Sequence, residues 1–318
     1  MRVVVIGAGL AGLVAARDLV AAGADVVIIE RSRSVGGRMA TRRIGKATVD
    51  HGAQFFTVRT PAFRRRVDDW IERGLVRTWS QGFGFDDGYP RFIATEGMNS
   101  LAKDLATGLD VECSTMAFAV RRQDHQRVSP GSPWQVVIDD GSTRAADAIV
   151  ITVPLPQAFA LLADAAVELD ESLFRTDYDR TITLLTVLDR PGVLPDPGAV
   201  QNPDATFSFI CDNAVKGVST TTAMTFHASN EWSRTNWEED PAELLDRLEK
   251  AAVPWIGDAR VLERQLKKWR FATPRTIWPD PYWATSDNRI VLAGDAFSGP
   301  RIEGAHNSGM AAAHSLIA

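Results

Sequence analysis

Residues 2–30 read Arg2-Val-Val-Val-Ile-Gly7-Ala-Gly9-Leu-Ala-Gly12-Leu-Val-Ala-Ala-Arg17-Asp-Leu-Val-Ala-Ala-Gly23-Ala-Asp25-Val-Val-Ile-Ile-Glu30. Residues 2–6 are a short β-branched run of the kind that forms a buried parallel strand. Three glycines follow in G-x-G-x-x-G spacing. Gly7 permits a tight turn, Gly9 lets a pyrophosphate approach the backbone, and Gly12 lets the next helix pack close on the strand. That helix, expected over 11–22 and closed by Gly23, aims its amides and positive dipole end at the phosphates. The strand 25–30 ends in Glu30, 18 residues past the last glycine, where a carboxylate accepts hydrogen bonds from ribose hydroxyls. The stretch therefore predicts a dinucleotide site. A signal peptide or a membrane span is the competing reading. The glycines at motif spacing and the charges at Arg17-Asp18 oppose both.

Composition narrows the class. The 318 residues suit one large or two modest domains. A net charge of −5 leaves no basic footprint for nucleic acid. The two cysteines, Cys113 and Cys211, are too few for a disulfide scaffold, and no His/Cys/Asp cluster has metal-ligand spacing. No metal, nucleic-acid or membrane partner is expected, and the default is a cytoplasmic enzyme, monomeric or homodimeric. Six of the nine tryptophans fall between 230 and 285. They read either as the aromatic core of a second domain or as a flat pocket for a planar ring.

After Glu30 comes Arg31-Ser-Arg-Ser-Val-Gly36-Gly37-Arg38-Met39. A second glycine pair followed by arginine suits a cofactor whose chain continues past the first helix, with Arg38 pairing with phosphate. Residues 47–59 read as a strand or loop re-entering the sheet. Thr60-Pro61 supplies an N-cap and a first helical position, with Phe63, Val67, Trp70 and Ile71 on one helical face. Glu96-Gly97-Met98-Asn99 opens another helix, with Leu101 and Leu105 buried. Residues 111–151 read as a β-meander with strands 134–138 and 148–153 and a turn at Asp140-Gly141. Strands are expected over 181–188, 206–211, 218–227 and 264–271, interrupted by a helix opening at Asp240-Pro241. The end returns to the first pattern. A strand at 289–293 runs into Gly294-Asp295, then Pro300-Arg301-Ile302-Glu303-Gly304-Ala305 leads into a helix over 305–317.

Together these stretches resemble the FAD-dependent amine oxidase superfamily. They read Gly7/Gly9/Gly12, Glu30 and Gly36-Gly37-Arg38 near the start, Gly97-Met98-Asn99-Ser100-Leu101 in the middle, and Gly294-Asp295 with Gly304-Ala305-His306-Asn307-Ser308-Gly309 at the end. Within it the chain is most similar to the renalase group, through residues 50–59, 227–233, 268–272 and 301–305. The implied fold is α/β. A discontinuous Rossmann-type FAD-binding domain (1–59, 97–165 and 284–318) has a parallel sheet plus a small β-meander. A second α+β substrate domain (60–96 and 166–283) sits on a mixed or antiparallel sheet. The implied activity is oxidation of 1,2- and 1,6-dihydronicotinamide dinucleotides by FAD and then O2, giving NAD(P)+ and H2O2. An amine oxidase or desaturase on the same scaffold, a non-catalytic flavin-binding regulator and a plain NAD dehydrogenase are the alternatives.

The resemblance also implies site residues. FAD, held without a covalent link, draws on Gly7, Gly9, Ala11, Gly12, Glu30 and Arg31. Gly37, Arg38, Met39, Ala53 and Gln54 continue the set, and Met116 is a candidate for the adenine. Asp295 holds a ribityl hydroxyl, and Ile302 and Ala305 bring the last helix to the flavin N1–C2 edge. Arg59 and Arg301 are candidates for a dinucleotide pyrophosphate, which a guanidinium attracts and a cationic amine avoids. Phe56, Met98, Thr186 and Trp232 are candidates for the wall over the ring. His227 either hydrogen-bonds a carboxamide or is a satisfied core histidine. No general base is required, because hydride loss from a dihydropyridine restores an aromatic ring.

Overall fold

The structure is a computed structural model that describes residues 1–84, 86–123 and 133–318. It packs as two units, residues 1–37, 101–177 and 274–318 in one, and 38–100 and 178–273 in the other.

The first unit is built on a six-stranded sheet in the order 283–284, 290–292, 148–151, 2–6, 25–30, 110–113. All neighbours are parallel except the edge pair Trp283–Ala284 with Ile290–Leu292. Val3, Val4, Val5, Ile149, Val150, Val291 and Leu292 are completely buried, as strands covered on both faces must be. The helix Leu10–Ala21 follows the first strand. The C-terminal helix Ile302–Ile317 lies against it so closely that a Cβ on Gly309 would stand 2.2 Å from the Ala11 carbonyl oxygen. Ends of the chain 298 residues apart thus form one layer through a residue without a side chain. Three antiparallel strands (Ala117–Arg122, Trp134–Ile138 and Thr143–Ala146) make the meander, which turns at Gly141 with φ +85°.

That meander is smaller than the expected 111–151. Strands Asp110–Cys113 and Ala148–Ile151 belong to the parallel sheet: Ala148–Ile151 is an apolar run buried on both faces, and Asp110–Cys113, half polar and only part-buried, pairs at the sheet's edge. Residues 124–132 of the expected range lie outside the described residues.

The second unit is built on a five-stranded sheet in the order 199–201, 207–212, 223–228, 178–188, 261–274. The central strand Tyr178–Leu188 shows why it has two faces. Ile182, Leu184 and Leu188 pack with Leu244, Leu248, Ala252 and Ile256 of the helix Pro241–Ile256, which recur every fourth residue. Asp240 caps that helix by accepting from Ala242 N at 2.8 Å. Leu185 turns the other way and meets Ile44, Ala47 and Val49 of the hairpin Thr41–Ile44/Ala47–Asp50.

Three expectations in this unit need correction. Residues 47–50 pair with 41–44 rather than re-entering the parallel sheet, since their alternation buries only one face. Residues 218–222 are a loop, and the strand begins at Ala223. Thr60 and Pro61 stand at the N-cap and first helical position as expected, the cap being one of backbone geometry without a side-chain cap hydrogen bond. Ile71 is 37% exposed while Phe63, Val67 and Trp70 are fully buried, because position 71 lies one residue off the i, i+4, i+7 stripe.

The tryptophans do not form one core either. Trp278 and Trp283 lie in the first unit; Trp232, Trp237, Trp255 and Trp269 lie in the second. The completely buried indoles are Trp70 and Trp134.

Candidate functional site

In the first unit the glycine turn occupies the carboxyl end of the central strand, where doubly wound sheets bind their ligands. Gly7 has φ +104°, and Gly12 comes so close that its Cβ would lie 2.0 Å from the Gly7 carbonyl oxygen. Thr152, at the end of the neighbouring strand, holds the turn by donating its Oγ1 hydrogen to Gly7 O at 3.0 Å. Gly9 is different in kind. It precedes the helix Leu10–Ala21, carries no cap, and a Cβ built on it would meet nothing within 4 Å. No acidic side chain stands in the helix's first turn. The amides that an α-helix always leaves unpaired at its start therefore lie beside open space above a glycine. That is the cradle a pyrophosphate requires, and the residues present fit FAD.

The second glycine pair folds back onto this turn. Gly36 N donates to Ala8 O at 2.8 Å. Gly37 has φ +51°, and a Cβ on it would sit 3.5 Å from Gly9 Cα. The carboxylate of Glu30, 7% exposed, accepts from Ala8 N at 2.9 Å and Ser32 N at 2.7 Å. It braces the loop. Arg31 is exposed beside it, and Met116 is 43% exposed on the meander side.

At the other end of the chain, Gly294 has φ +141° and donates its N–H to Ser308 Oγ at 2.8 Å; Ser308 in turn donates to Pro281 O at 2.6 Å. This clasp fixes Asp295, part-buried in the first turn of the short helix Asp295–Ser298, against the C-terminal helix. Arg301 is exposed at that helix's N-cap, with Ile302 and Ala305 part-buried in its first turn. Gly304 closes the approach, since its Cβ would lie 2.1 Å from Gly299 O.

The second unit holds the remaining predicted residues, of which Gln54 and His227 are tied into a buried polar network. Gln54 donates through Nε2 to Asp50 O at 2.8 Å and Gly52 O at 3.1 Å, while its Oε1 accepts from Cys211 Sγ at 3.2 Å. His227 has Nδ1 2.8 Å from Thr183 Oγ1 and Nε2 3.0 Å from Gln54 Nε2 and 3.1 Å from Gly52 O. Both ring nitrogens are thus engaged by protein, as in a satisfied core histidine. Ala53 N donates to Arg38 O at 2.8 Å, and Arg38 Nη1 reaches Ala272 O at 3.3 Å. Met39 is buried, Met98 and Thr186 are completely buried, and Phe56 packs between Phe63 and Phe92. Trp232 lies against the sheet core under the Arg247 guanidinium. Arg59 is exposed and stands 4.6 Å over the Tyr89 ring.

Sequence reasoning passed over the centre of this network. Asp50 and Lys216, both completely buried, form an ion pair at 2.7 Å. Asp50 also accepts from Thr41 Oγ1 at 2.6 Å and Met98 N at 2.9 Å. A lone lysine 166 residues from its partner offers no local signal. Thr152 was missed for the same reason, and Ser308 stood in the C-terminal motif without a role assigned to it. Among the described residues no group of His, Cys, Asp or Glu is placed to hold a metal ion, and no helix is long and apolar enough to cross a membrane.

Burial sets the two histidines of this unit. It pushes His227 down to about 4, and it does the same for His51, helped by the nearby Lys267 charge. Both rings are neutral in the fold yet take up a proton near 6.5 in the unfolded chain. The unfolded state then binds more protons as the pH falls, so stability is full above 6.5 and is lost between 6.5 and 4. Urea denaturation at pH 7.5, 6.0 and 5.0 should show a decline approaching about 1.4 kcal/mol per pH unit for each ring. A flat profile would show that the rings are accessible to protons.

A Rossmann-type sheet, two glycine turns and a clasped Gly294-Asp295 corner define a class, the FAD-dependent oxidoreductases. Residues 5–70 match an NAD(P)-binding Rossmann-like domain, and residues 72–317 match the flavin containing amine oxidoreductases. The chain belongs to the flavin containing amine oxidoreductase family. Renalase from Mus musculus is 26% identical over 178 residues, which are 51% of this chain and 50% of the mouse protein. The chain thus spans about half the length of that curated relative. A putative protoporphyrinogen oxidase from Exiguobacterium shares the fold, with a TM-score of 0.73 at 14% identity over 99% of this chain and 98% of that one. So does a putrescine oxidase bound to putrescine, with a TM-score of 0.73 at 14% identity over 100% and 99%.

Proposed function

We propose that this chain oxidises aberrant dihydronicotinamide dinucleotides, the 1,2- and 1,6-dihydro isomers of NAD(P)H, to NAD(P)+. The observation that carries the reading is Arg301, a guanidinium exposed at the N-cap of the C-terminal helix. There it repels a cationic amine and attracts an anionic dinucleotide. The likeness to renalase supports the same reading.

FAD, bound without a covalent link, supplies hydride acceptance and the transfer of electrons to O2, giving H2O2. The chain's own residues hold and orient. The uncapped amides after Gly9 neutralise the cofactor phosphates, Glu30 accepts from the adenosine ribose, and Asp295 accepts from a ribityl hydroxyl. The first turn of the C-terminal helix favours negative charge near Ile302 and Ala305. His51 and His227, held down to about 4 by burial, carry no imidazolium proton at pH 7 and are weak bases, which suits a reaction without a general acid or base.

An anaerobic spectral titration tests this. Addition of 1,6-dihydroNAD should bleach the yellow protein within seconds, and air should restore the colour with release of H2O2. Bleaching by benzylamine or a polyamine, with the dinucleotide inert, would replace the reading by amine oxidation.

A further inference from the structure

In the second unit the hairpin 41–50 presents one apolar face, Ile44, Ala47 and Val49, to the five-stranded sheet. Arg42 lies directly opposite Val49 in the register, so its side chain emerges on that same face. The ladder continues one step further, with His51 N donating to Ala40 O at 3.0 Å. Alternation then places His51 on the face of Val49 and Ala47.

There its ring stacks on Trp269, with centroids 5.3 Å apart, and its carbonyl accepts from Trp269 Nε1 at 2.8 Å. Lys267 is two residues before Trp269 on the strand Val261–Pro274, so it points to the same side. Leu266 and Lys268 turn the other way, Leu266 into the helix-side core and Lys268 Nζ onto Trp237 O at 2.6 Å. Two part-buried cations and a histidine 6% exposed therefore converge beside one indole.

The charges do not balance. Among the described residues neither Arg42 nor Lys267 has a carboxylate partner, and His51 Nδ1 is buried without a hydrogen bond. Asp50, the acid next in sequence, is already held by Lys216. Glu263, on the row of Lys267, sits at the hairpin turn, 3.3 Å from where a Gly45 Cβ would be. Burial and the neighbouring Arg42 charge lower the affinity of Lys267 for its proton. Like charges gathered in a part-dry place destabilise a fold unless an anion joins them.

We propose that Arg42, Lys267 and His51 form a binding site for a phosphate group, and that its occupant is the phosphate portion of the dinucleotide substrate. The identity of the occupant rests on the function proposed above; the phosphate site itself does not. Arg42 supplies a fork for two phosphate oxygens, Lys267 a point charge, and the imidazole in its Nδ1–H tautomer a donor.

Calorimetric binding to the flavin-loaded protein tests it without turnover. ADP-ribose, which lacks the reacting ring, and inorganic phosphate are the two probes. Arg42→Met and Lys267→Met should each weaken ADP-ribose binding about tenfold or more, with flavin content unchanged and the melting temperature of the ligand-free protein unchanged or raised, while Lys267→Arg keeps most of the affinity. ADP-ribose binding equally well to all variants would overturn the site. A loss confined to inorganic phosphate would overturn the assignment of its occupant to the dinucleotide. If ADP-ribose binding depends on these residues but dihydroNAD fails to bleach the flavin, the site stands and the proposed reaction falls.

Discussion

Replacing Lys216 with Met is expected to lower the unfolding free energy by about 3–5 kcal/mol, the usual cost of stranding one member of a buried ion pair. Asp50 would keep Thr41 Oγ1 and Met98 N as donors but lose its Lys216 partner, in a place where neither partner touches solvent. Asp50→Leu should cost at least as much, because the ammonium would be left with Gln54 Oε1 at 3.4 Å and the Trp79 ring at 5.4 Å. The double variant should recover much of either loss, since removing both charges removes both desolvation costs. Urea denaturation curves of the four proteins measure this directly. Two single variants each within 1 kcal/mol of the parent, on the scale of an exposed pair, would show that water reaches the network. Asp50 carries the turn His51-Gly52-Ala53-Gln54 on one side and receives the Met98 amide on the other.

The second large effect separates two glycines that look alike in the motif. Gly9→Val should leave the stability of the flavin-free protein within about 1 kcal/mol, because the position is an open N-cap in extended backbone. It should nevertheless weaken FAD binding on the order of a hundredfold, the loss of two charge-assisted hydrogen bonds of about 1.5 kcal/mol each. Gly12→Ala should damage both. Its Cβ would stand 2.0 Å from Gly7 O and 2.8 Å from Thr152 Oγ1, so helix and strand must move apart at a cost of about 1–3 kcal/mol before any ligand is considered. Flavin absorbance after gel filtration and melting of the flavin-free protein distinguish the two. Equal losses of stability in both variants would mean that Gly9 is a packing residue rather than a cradle.

Local rules made much of the first unit legible. A β-branched run, glycines at set spacing and a terminal acid each act over a few residues, so strands 2–6 and 25–30 and the helix between them follow from sequence alone. The same holds for Asp240-Pro241 at the start of a helix and Asp140-Gly141 in a hairpin. The paired motifs at the two ends announced a flavin protein before any coordinates. Sequence did not say what those motif residues do mechanically. Ser308 and Gly309 are there to hold Gly294 and to admit Ala11, which are contacts between segments far apart in the chain.

Period-2 and period-3.6 patterns say which face of a segment is buried, and they say nothing of which segment covers it. For that reason residues 110–113 and 148–151 read as meander strands until the parallel sheet claimed them, and residues 47–50 found a hairpin partner instead of the sheet. The polar interior of the second unit lay wholly beyond local reading. Asp50 and Lys216 meet only because the hairpin and the strand ending at Asp212 are folded onto one another, and the electrostatics of a buried pair depend on distance in space, not in sequence. Sequence determined the cofactor class and the first unit's architecture, because short-range sterics and phosphate chemistry decide both. Tertiary structure alone decided which charges are paired, which histidines stay neutral and where cations gather without a counter-charge, because burial and proximity are created only when the chain closes on itself.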